Sequence, residues 1–384
     1  MLKPNPNATI SGAAMKTFAG IRMLRNVQGW YVRFERPISS AFLVSGFVFD
    51  ALTLHRVDTF WENFWVLVHL VVVAVCIVLV NRQENDAATG SGKDSPRARF
   101  WLMNLQQFFF GGLLSTLLVF YFRSGSLSAS WPFLLVLGVA FAANESLRKH
   151  SARLSFQISL FYLSLFCFAI FIVPVLVHAM GPFTFVLSGG VSLGLVALFL
   201  RVLQVAAKET FARGRKELAV SIATIFLGIN ALYFLNLIPP IPLSLVDANV
   251  YHSIAKDPNG GYIAQSEEAG LLGFFHWTET IHLAPGGTAY AYSAVFSPTS
   301  LDTEIVHEWQ RYEGKRGWVT VSRVSLALVG GRGGGYRTYS IKTQMFPGAW
   351  RVNVETPRGA LLGRVRFNVI AEEGATALRS EVKD

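Results

Sequence analysis

Glycine and histidine residues in the C-terminal third are the first whose types and spacing could support chemistry. Five of the six residues at 330–335 are glycine. The Lys-Ser/Thr pair that ends a phosphate-binding loop is missing after them, and no helical pattern follows. Four histidines lie on strand-like segments without the spacing of metal ligands: His252, His276, His282 and His307. The sequence therefore predicts no metal or cofactor, and favours a flexible hairpin loop and surface or half-buried histidines.

Polar residues within long apolar runs form a second group, represented by Asp50, Asn144 and Glu145. Such residues are costly in lipid, and they could line a cavity of a membrane-embedded enzyme or transporter. Alternatively, they reach headgroup water from the helix ends or join helices by hydrogen bonds. The second explanation is favoured, because no acidic residue falls at the middle of a run.

Charged residues in the C-terminal third follow an uneven order along the chain. Residues 247–313 hold nine acids against two basic residues, whereas residues 332–366 hold seven basic residues against one acid. This order would suit an anion-binding face for glycans or lipid headgroups, with Tyr336, Tyr339 and Trp350 as stacking surfaces. Cross-strand pairing of acidic early strands with basic late ones explains the same order and is favoured.

The composition of the 384 residues is that of a membrane protein. Hydrophobic residues make up 52% and charged residues 15%, with a mean hydropathy of +0.40, which is outside the soluble range. The net charge of +10 could suggest nucleic-acid binding. However, residues up to Pro242 hold 20 basic and 10 acidic residues, and those after it hold 14 of each. The neutral C-terminal part argues against a nucleic-acid partner.

Seven apolar runs predict seven transmembrane helices, at 37–54, 64–80, 101–122, 131–147, 154–177, 183–205 and 219–238. Alternate loops, together with the N-terminal segment, hold 17 basic residues, and the intervening loops hold 2. This asymmetry predicts a cytoplasmic N-terminus and a C-terminal domain outside the cytoplasm. Residues 1–36 are predicted to be a basic cytoplasmic segment, either a helix on the inner leaflet or a disordered lead-in.

The pattern changes after the transmembrane domain at 37–242, which ends in a proline-rich exit. Period-two alternation predicts strands at 289–296, 303–312, 317–324, 336–342, 349–355 and 362–369. In the fifth, Trp350 and Val352 alternate with Arg351, which predicts a buried and an exposed face. Short strands at this spacing predict an antiparallel β-sandwich at 243–370, and the polar tail at 371–384 is predicted to be disordered.

Three motifs in this region form a recognisable series. They are His307-x-Trp309, the segment Tyr336-Arg-Thr-Tyr-Ser-Ile-Lys342, and the Gly348-Ala-Trp-Arg-Val segment followed by Gly363-x-x-x-Phe367. Together they resemble a bacterial domain-of-unknown-function family found at the C-terminus of membrane proteins, over about residues 289–370. The resemblance implies an immunoglobulin-like sandwich on a bacterial inner-membrane anchor, and it implies no activity.

These observations favour a non-enzymatic, multi-pass inner-membrane protein whose periplasmic sandwich binds an envelope protein or glycan. The candidate partner-binding residues are His307, Trp309, Tyr336, Arg337 and Arg351. Of these, the two arginines are expected to project from one face. The alternative is a membrane-embedded enzyme or transporter with the sandwich as an accessory domain.

Overall fold

A computed structural model describes most of the chain after residue 60. The described residues are 47–48, 50, 52, 60–90, 96–146, 154–258, 261–267, 279–298, 303–328, 335–372, 374 and 377–383. Two compact units are present, Met1–Phe49 and Asp50–Asp384. All contacts described below lie within the second unit.

Six helices in the described residues are long and apolar enough to cross a membrane. They are α1 (Phe60–Thr89), α2 (Pro96–Arg123), α3 (Leu127–Ser146), α4 (Leu154–Val177), α5 (Pro182–Ala206) and α6 (Lys208–Phe234). Helix α4 lies at the centre, packed against α1, α2, α5 and α6. The ring of Phe166, on α4, contacts those of Phe185 on α5 and Phe226 on α6.

Each of the last six predicted runs overlaps one of these helices, so their helical nature is confirmed, although the run at 219–238 extends four residues beyond the end of α6. The predicted number of seven is not confirmed, because the first run, 37–54, is described at only four residues. The described chain thus contains six candidate spans rather than seven.

The C-terminal part forms a sandwich-like region of eleven strands among the described residues. The strands are β1 (Ser244–Tyr251), β2 (Ser253–Lys256), β3 (Tyr262–Glu267), β4 (Glu279–Leu283), β5 (Ala289–Phe296), β6 (Thr303–Tyr312), β7 (Trp318–Leu328), β8 (Tyr336–Lys342), β9 (Gly348–Glu355), β10 (Leu361–Ala371) and β11 (Leu378–Lys383). A five-stranded sheet has the order β4-β10-β9-β6-β7, and two three-stranded sheets have the orders β1-β5-β8 and β11-β3-β2.

The sheets are stacked in three layers, because buried apolar side chains of β1 and β5 project from both faces of the middle sheet. On one face Val250, Ala289 and Ala291 pack against Trp309 and Trp350 of the five-stranded sheet. On the other face lie side chains that pack against the β11-β3-β2 sheet, among them Tyr251, Tyr292 and Ala264. The middle sheet is therefore covered on both sides.

Hydrogen bonds join the sandwich to one end of the helix bundle. The Ser244 hydroxyl donates to the Arg123 carbonyl at 2.9 Å, and the Asn236 amide donates to the Arg358 carbonyl at 3.0 Å. Arg123 ends α2, and Asn236 follows the end of α6. These bonds fix the sandwich to the end of α2 and to the segment that follows α6.

Five strands and one strand pairing differ from the sequence expectations. Strands β1, β2, β3, β4 and β11 were not predicted, and β4 pairs with β10 in parallel. The expectation of disorder at 371–384 does not hold for β11, which pairs with β3. Its backbone completes a sheet edge, and Lys383 reaches Asp247 at 3.0 Å and Glu381 at 2.8 Å. The predicted loop at 330–334 lies outside the described residues.

Candidate functional site

His307 and Trp309 were predicted to contact a partner, but both are fully buried in the sandwich. The His307 ring lies 2.8 Å from the Ser293 hydroxyl through Nε2 and 2.9 Å from the Ser340 hydroxyl through Nδ1. Trp309 donates its indole N–H to the same Ser340 hydroxyl at 3.0 Å. These hydrogen bonds connect β6 to β5 and β8 through the core of the domain. The prediction that they bind a partner is wrong, because no partner can reach them in the folded domain.

Burial also sets the protonation of His307. Because the folded domain removes the ring from water and so disfavours its charged form, its pKa falls from 6.5 to about 4. The ring is therefore neutral near pH 7, and it can donate one hydrogen bond and accept one. This suits its position between two serine hydroxyls.

Tyr336 and Arg337 lie on β8, in the middle sheet, and not on the sheet that carries Arg351. Tyr336 packs against the core cluster around Val295 and Leu328. Arg337 interacts with the Tyr292 hydroxyl on the side of the third sheet. The expectation that Arg337 and Arg351 share one face is therefore wrong.

Arg351 lies on the outer surface of the five-stranded sheet, as alternation with the buried Trp350 and Val352 predicted. Strand pairing places two rows of polar side chains across this surface. In the first row, the order is Arg364, Asn353, Glu308 and Arg323. In the second row, the order is Arg366, Arg351, Gln310 and Thr320. The surface carrying Arg323, Arg351, Arg364 and Arg366 is called the arginine face below.

Hydrogen bonds connect the inner members of the two rows. The Glu308 carboxylate accepts bonds from Gln310, Asn353 and Thr320, each at 2.9 Å. Arg351 Nε donates to the Gln310 side-chain oxygen at 2.6 Å, and its guanidinium lies 4.4 Å from the Trp318 ring centroid. These contacts hold the guanidinium of Arg351 in one orientation.

The arginine face carries more positive charge than its carboxylates balance. The Arg323 guanidinium forms ion pairs with both carboxylates, at 2.7 Å from Glu355 and 3.8 Å from Glu308. In the part of the chain that the structure describes, the other three arginines form no ion pair with a carboxylate. Arg364 donates its Nε to the Asn353 side-chain oxygen at 2.6 Å instead.

The pKa values on this face reflect its burial and crowding. Burial lowers the pKa of Arg351 to about 10, and the positive charges of Arg364 and Arg366 contribute. Burial, followed by the charge of Glu308, raises the pKa of Glu355 to about 7, against the opposing effect of Arg323. The surface therefore favours an added negative charge near Arg351.

The polar residues predicted within the helices do not meet at one site. Asn144 donates to the Gln107 carbonyl at 3.1 Å, and Gln107 donates back to the Asn144 carbonyl at 2.8 Å. Asp50 instead lies near Ser115 and His69. Gln107 and Ser115 are eight residues apart on α2, or about 12 Å along the axis. The side chain of Glu145 lies outside what the structure describes.

Hydrogen bonds between helices account for the polar side chains around Asn144. Besides the Asn144 pair, Asn81 donates to the Gln157 side-chain oxygen at 2.7 Å. The void beside Asn144 and Gln157 measures about 10 Å³, which holds one water molecule at most.

One serine in α5, Ser192, lies in a literal Gly-x-Ser-x-Gly sequence. It is buried within the helix and donates to the Gly189 carbonyl at 2.8 Å, so it does not form a nucleophile elbow.

Sequence reasoning missed Arg364, Arg366 and Trp318 as members of the site. The missing information was the register that sets Arg366 opposite Arg351. The alternation of Arg364 and Arg366 with Val365 and Phe367 was a usable signal for the outward direction of both arginines.

Residues 302–369 carry a domain that matches a family described as "Protein of unknown function (DUF2914)". No curated protein matches the chain. Among solved structures, a beta-glucosidase from Listeria innocua in complex with gluconolactone matches at 11% identity and a TM-score of 0.18. That match covers 32% of this chain and 16% of the glucosidase chain.

The Pseudomonas fluorescens alkylpurine DNA glycosylase AlkC, bound to DNA containing an abasic site analog, matches at 11% identity and a TM-score of 0.21. That match covers 81% of this chain and 99% of the glycosylase chain. Scores this low do not indicate a shared fold with either enzyme.

Proposed function

We propose that this chain is a non-enzymatic inner-membrane protein whose sandwich-like domain binds an acidic protein partner in the bacterial envelope through the arginine face. Six helices supply the anchor. The 17 to 2 distribution of basic residues supports a periplasmic position for the domain. The DUF2914 domain at 302–369 supplies the binding surface but no known activity.

The observation that carries the proposal is the direct pairing of Arg366 with Arg351 across β10 and β9. Like charges opposite each other destabilise a sheet. Arg364 lies two residues from Arg366 on the same face, which adds to the repulsion felt by Arg351. A bound carboxylate would relieve this repulsion, and guanidinium groups bind carboxylates in bidentate geometry.

A protein partner suits the shape and composition of this face. The surface is a sheet rather than a cleft, and exposed apolar side chains border it, including Tyr312 and Val321 on the β6-β7 side and Phe346 near β9. Arginine and aromatic side chains are common where interfaces gain most of their free energy. An anionic glycan would satisfy the arginines but would gain less from the apolar border.

Crosslinking from intact membranes tests this proposal. The full chain carrying both Arg364→Gln and Arg366→Gln should capture at least about tenfold less of its protein partner. Substitution of interface residues of this kind weakens the binding free energy by about 2 kcal/mol or more. The matched control is Lys256→Gln with Arg379→Gln, which removes the same charge from exposed positions on the third sheet.

Unchanged capture by the arginine-face variant would contradict the proposal, as would an equal loss in the control. A captured species that glycan-degrading enzymes remove and proteases do not would show that the partner is a glycan. Hydrogen exchange of β9 and β10 in the same variants checks that the fold is retained, because Arg364 is half-buried and donates to Asn353, whereas Arg366 is an exposed charge of the kind that contributes about 0 to 1 kcal/mol to folding.

The membrane-embedded enzyme or transporter draws less support from the structure. Its candidate residues Asp50 and Asn144 contact different parts of α2. The void near Asn144 is too small for a substrate. No observation in the described residues favours this second function over the first.

A further inference from the structure

A cavity of about 290 Å³ lies where the helix bundle meets the sandwich. The helices contribute Ile170 and Pro174 from the end of α4, Phe185 from the start of α5 and Tyr233 from the end of α6. The sandwich contributes the turn at 356–360, between β9 and β10. The arginine face lies on another part of the domain and shares no residue with this cavity.

The walls of the cavity are mainly apolar, and among the described residues that line it Arg358 is the one that carries a charge. Its guanidinium lies 4.6 Å from the Tyr233 ring centroid and 5.6 Å from that of Phe234. The side chain is half-buried, and within the described residues it has no ion pair with a carboxylate. A cation in this position favours an anionic ligand.

The local backbone explains why Arg358 is held at the cavity. Residues 356–359 form the turn that the sequence predicted, with the Gly359 amide donating to the Thr356 carbonyl at 2.8 Å. Gly359 has φ +86°, which a glycine adopts without strain. Asn236 holds the Arg358 carbonyl from the helix side. The turn and the helix exit thus position the guanidinium together.

The location of the cavity indicates the source of the ligand. Its helical walls are the ends of candidate membrane spans, so the apolar lining would open at the level where acyl chains meet headgroups. A volume of about 290 Å³ is at the small end for ligand pockets. It can hold part of a lipid, such as a chain segment or the glycerol phosphate, but not a whole molecule.

We propose that this cavity binds an anionic membrane lipid, with Arg358 holding the phosphate and the apolar walls holding part of an acyl chain. The lipid would bridge α4, α5 and α6 to the β9-β10 turn. It would thereby strengthen the attachment of the sandwich to the bundle.

Native mass spectrometry of the full chain tests this inference, with phosphatidylglycerol and phosphatidylcholine of identical chains added at equal concentration. The unmodified protein should retain phosphatidylglycerol at least about fivefold more than phosphatidylcholine, a difference of about 1 kcal/mol. Arg358→Gln should abolish this preference. Arg316→Gln, which removes an exposed charge far from the cavity lining, should leave it unchanged.

A second variant tests the apolar part of the site. Ala360 lines the cavity, and Ala360→Phe should lower the retention of both lipids by filling the space. Glycerol phosphate without acyl chains should bind the unmodified protein much more weakly than the lipid does.

Four results would overturn the inference. These are equal retention of the two lipids, a preference that survives Arg358→Gln, retention unaffected by Ala360→Phe, and binding of glycerol phosphate as strong as that of the lipid. Because the two sites share no residue, these outcomes are independent of partner capture by the arginine face.

Discussion

Acidification should destabilise the sandwich through His307, which is buried and neutral between Ser293 and Ser340. Its pKa is about 4 in the folded domain, against 6.5 for the free side chain. Between these values the unfolded chain binds a proton that the folded chain excludes, so the free energy of unfolding falls as pH falls. The stabilisation is present above pH 6.5 and is lost as pH falls toward the folded pKa.

The magnitude follows from the difference between the two pKa values. Each pKa unit corresponds to about 1.4 kcal/mol, so the full loss is about 3 kcal/mol. No discount for solvent screening is needed, because His307 has 0% exposure. Glu355 acts in the opposite direction, since its raised pKa of about 7 stabilises the folded domain as pH falls through that value.

Comparison with a His307→Gln variant separates the two effects, because Glu355 titrates in both proteins. Hydrogen exchange of β6 and β9 peptides in the full chain, corrected for intrinsic rates, reports the opening free energy at each pH. The variant should be less stable by about 1 to 3 kcal/mol near pH 7, where it loses optimal bonds to two buried hydroxyls. The difference between the proteins should shrink as pH falls below 6.5. A constant difference down to about pH 4.5 would refute the assignment of a buried neutral histidine.

Three further predictions concern stability and one concerns topology. Trp350→Ala should cost about 3 to 5 kcal/mol, measured by exchange of β9, because the ring is 1% exposed and its indole N–H is bonded to the Phe346 carbonyl. Gly335→Ala should cost about 1 to 3 kcal/mol, because φ is +85° and the new methyl would lie 3.1 Å from the β5 backbone. Gly314→Ala, with a positive φ but open space, should cost less, and thermal unfolding of the two variants measures the difference. A chain ending at residue 370 loses β11 and should show faster exchange in β3, whereas unchanged exchange would show that β11 contributes no protection. A reporter that requires export should be active at Asp384 and inactive at Gly90, and the reverse result would contradict the predicted orientation.

The local sequence pattern predicted the bounds of three strands correctly. The ranges 289–296, 303–312 and 336–342 match β5, β6 and β8 at both ends. Each carries apolar residues on at least one buried face, so alternation is visible in the sequence alone. Helices were equally visible, because an apolar run long enough to cross a membrane needs no tertiary contact to be recognised.

Strands that depend on a neighbour were not predictable in this way. Strand β11 is exposed at every residue except Lys383 and forms by pairing with the edge of β3. Strands β2 and β4 have four and five residues, too few to show a clear period. The hydrogen bonds of β4 and β11 come from segments distant in sequence, and no local pattern records such pairing.

The candidate site shows the same division between local and long-range information. Alternation placed Arg351 on the outer surface correctly, but it could not identify Arg366 as its neighbour, because that depends on the β9-β10 register. Arg337 was grouped with Arg351 by residue type, although it belongs to a different sheet. Residue type and local alternation identify outward arginines, and only strand pairing shows which of them act together.

The residues of the three sequence motifs are mostly core residues. His307 and Trp309 meet Ser340 inside the sandwich, and Trp350 and Phe367 lie in the same buried cluster. Such a pattern specifies the packing of β6, β8, β9 and β10, and Arg351 is the one member of the arginine face that it includes. A domain with the same core could therefore carry a different outer face, so the partner must be inferred from the exposed arginines rather than from the motif. It follows that substitutions of the buried motif residues should reduce partner capture only together with stability, whereas substitution of Arg366, which is exposed, should reduce capture alone.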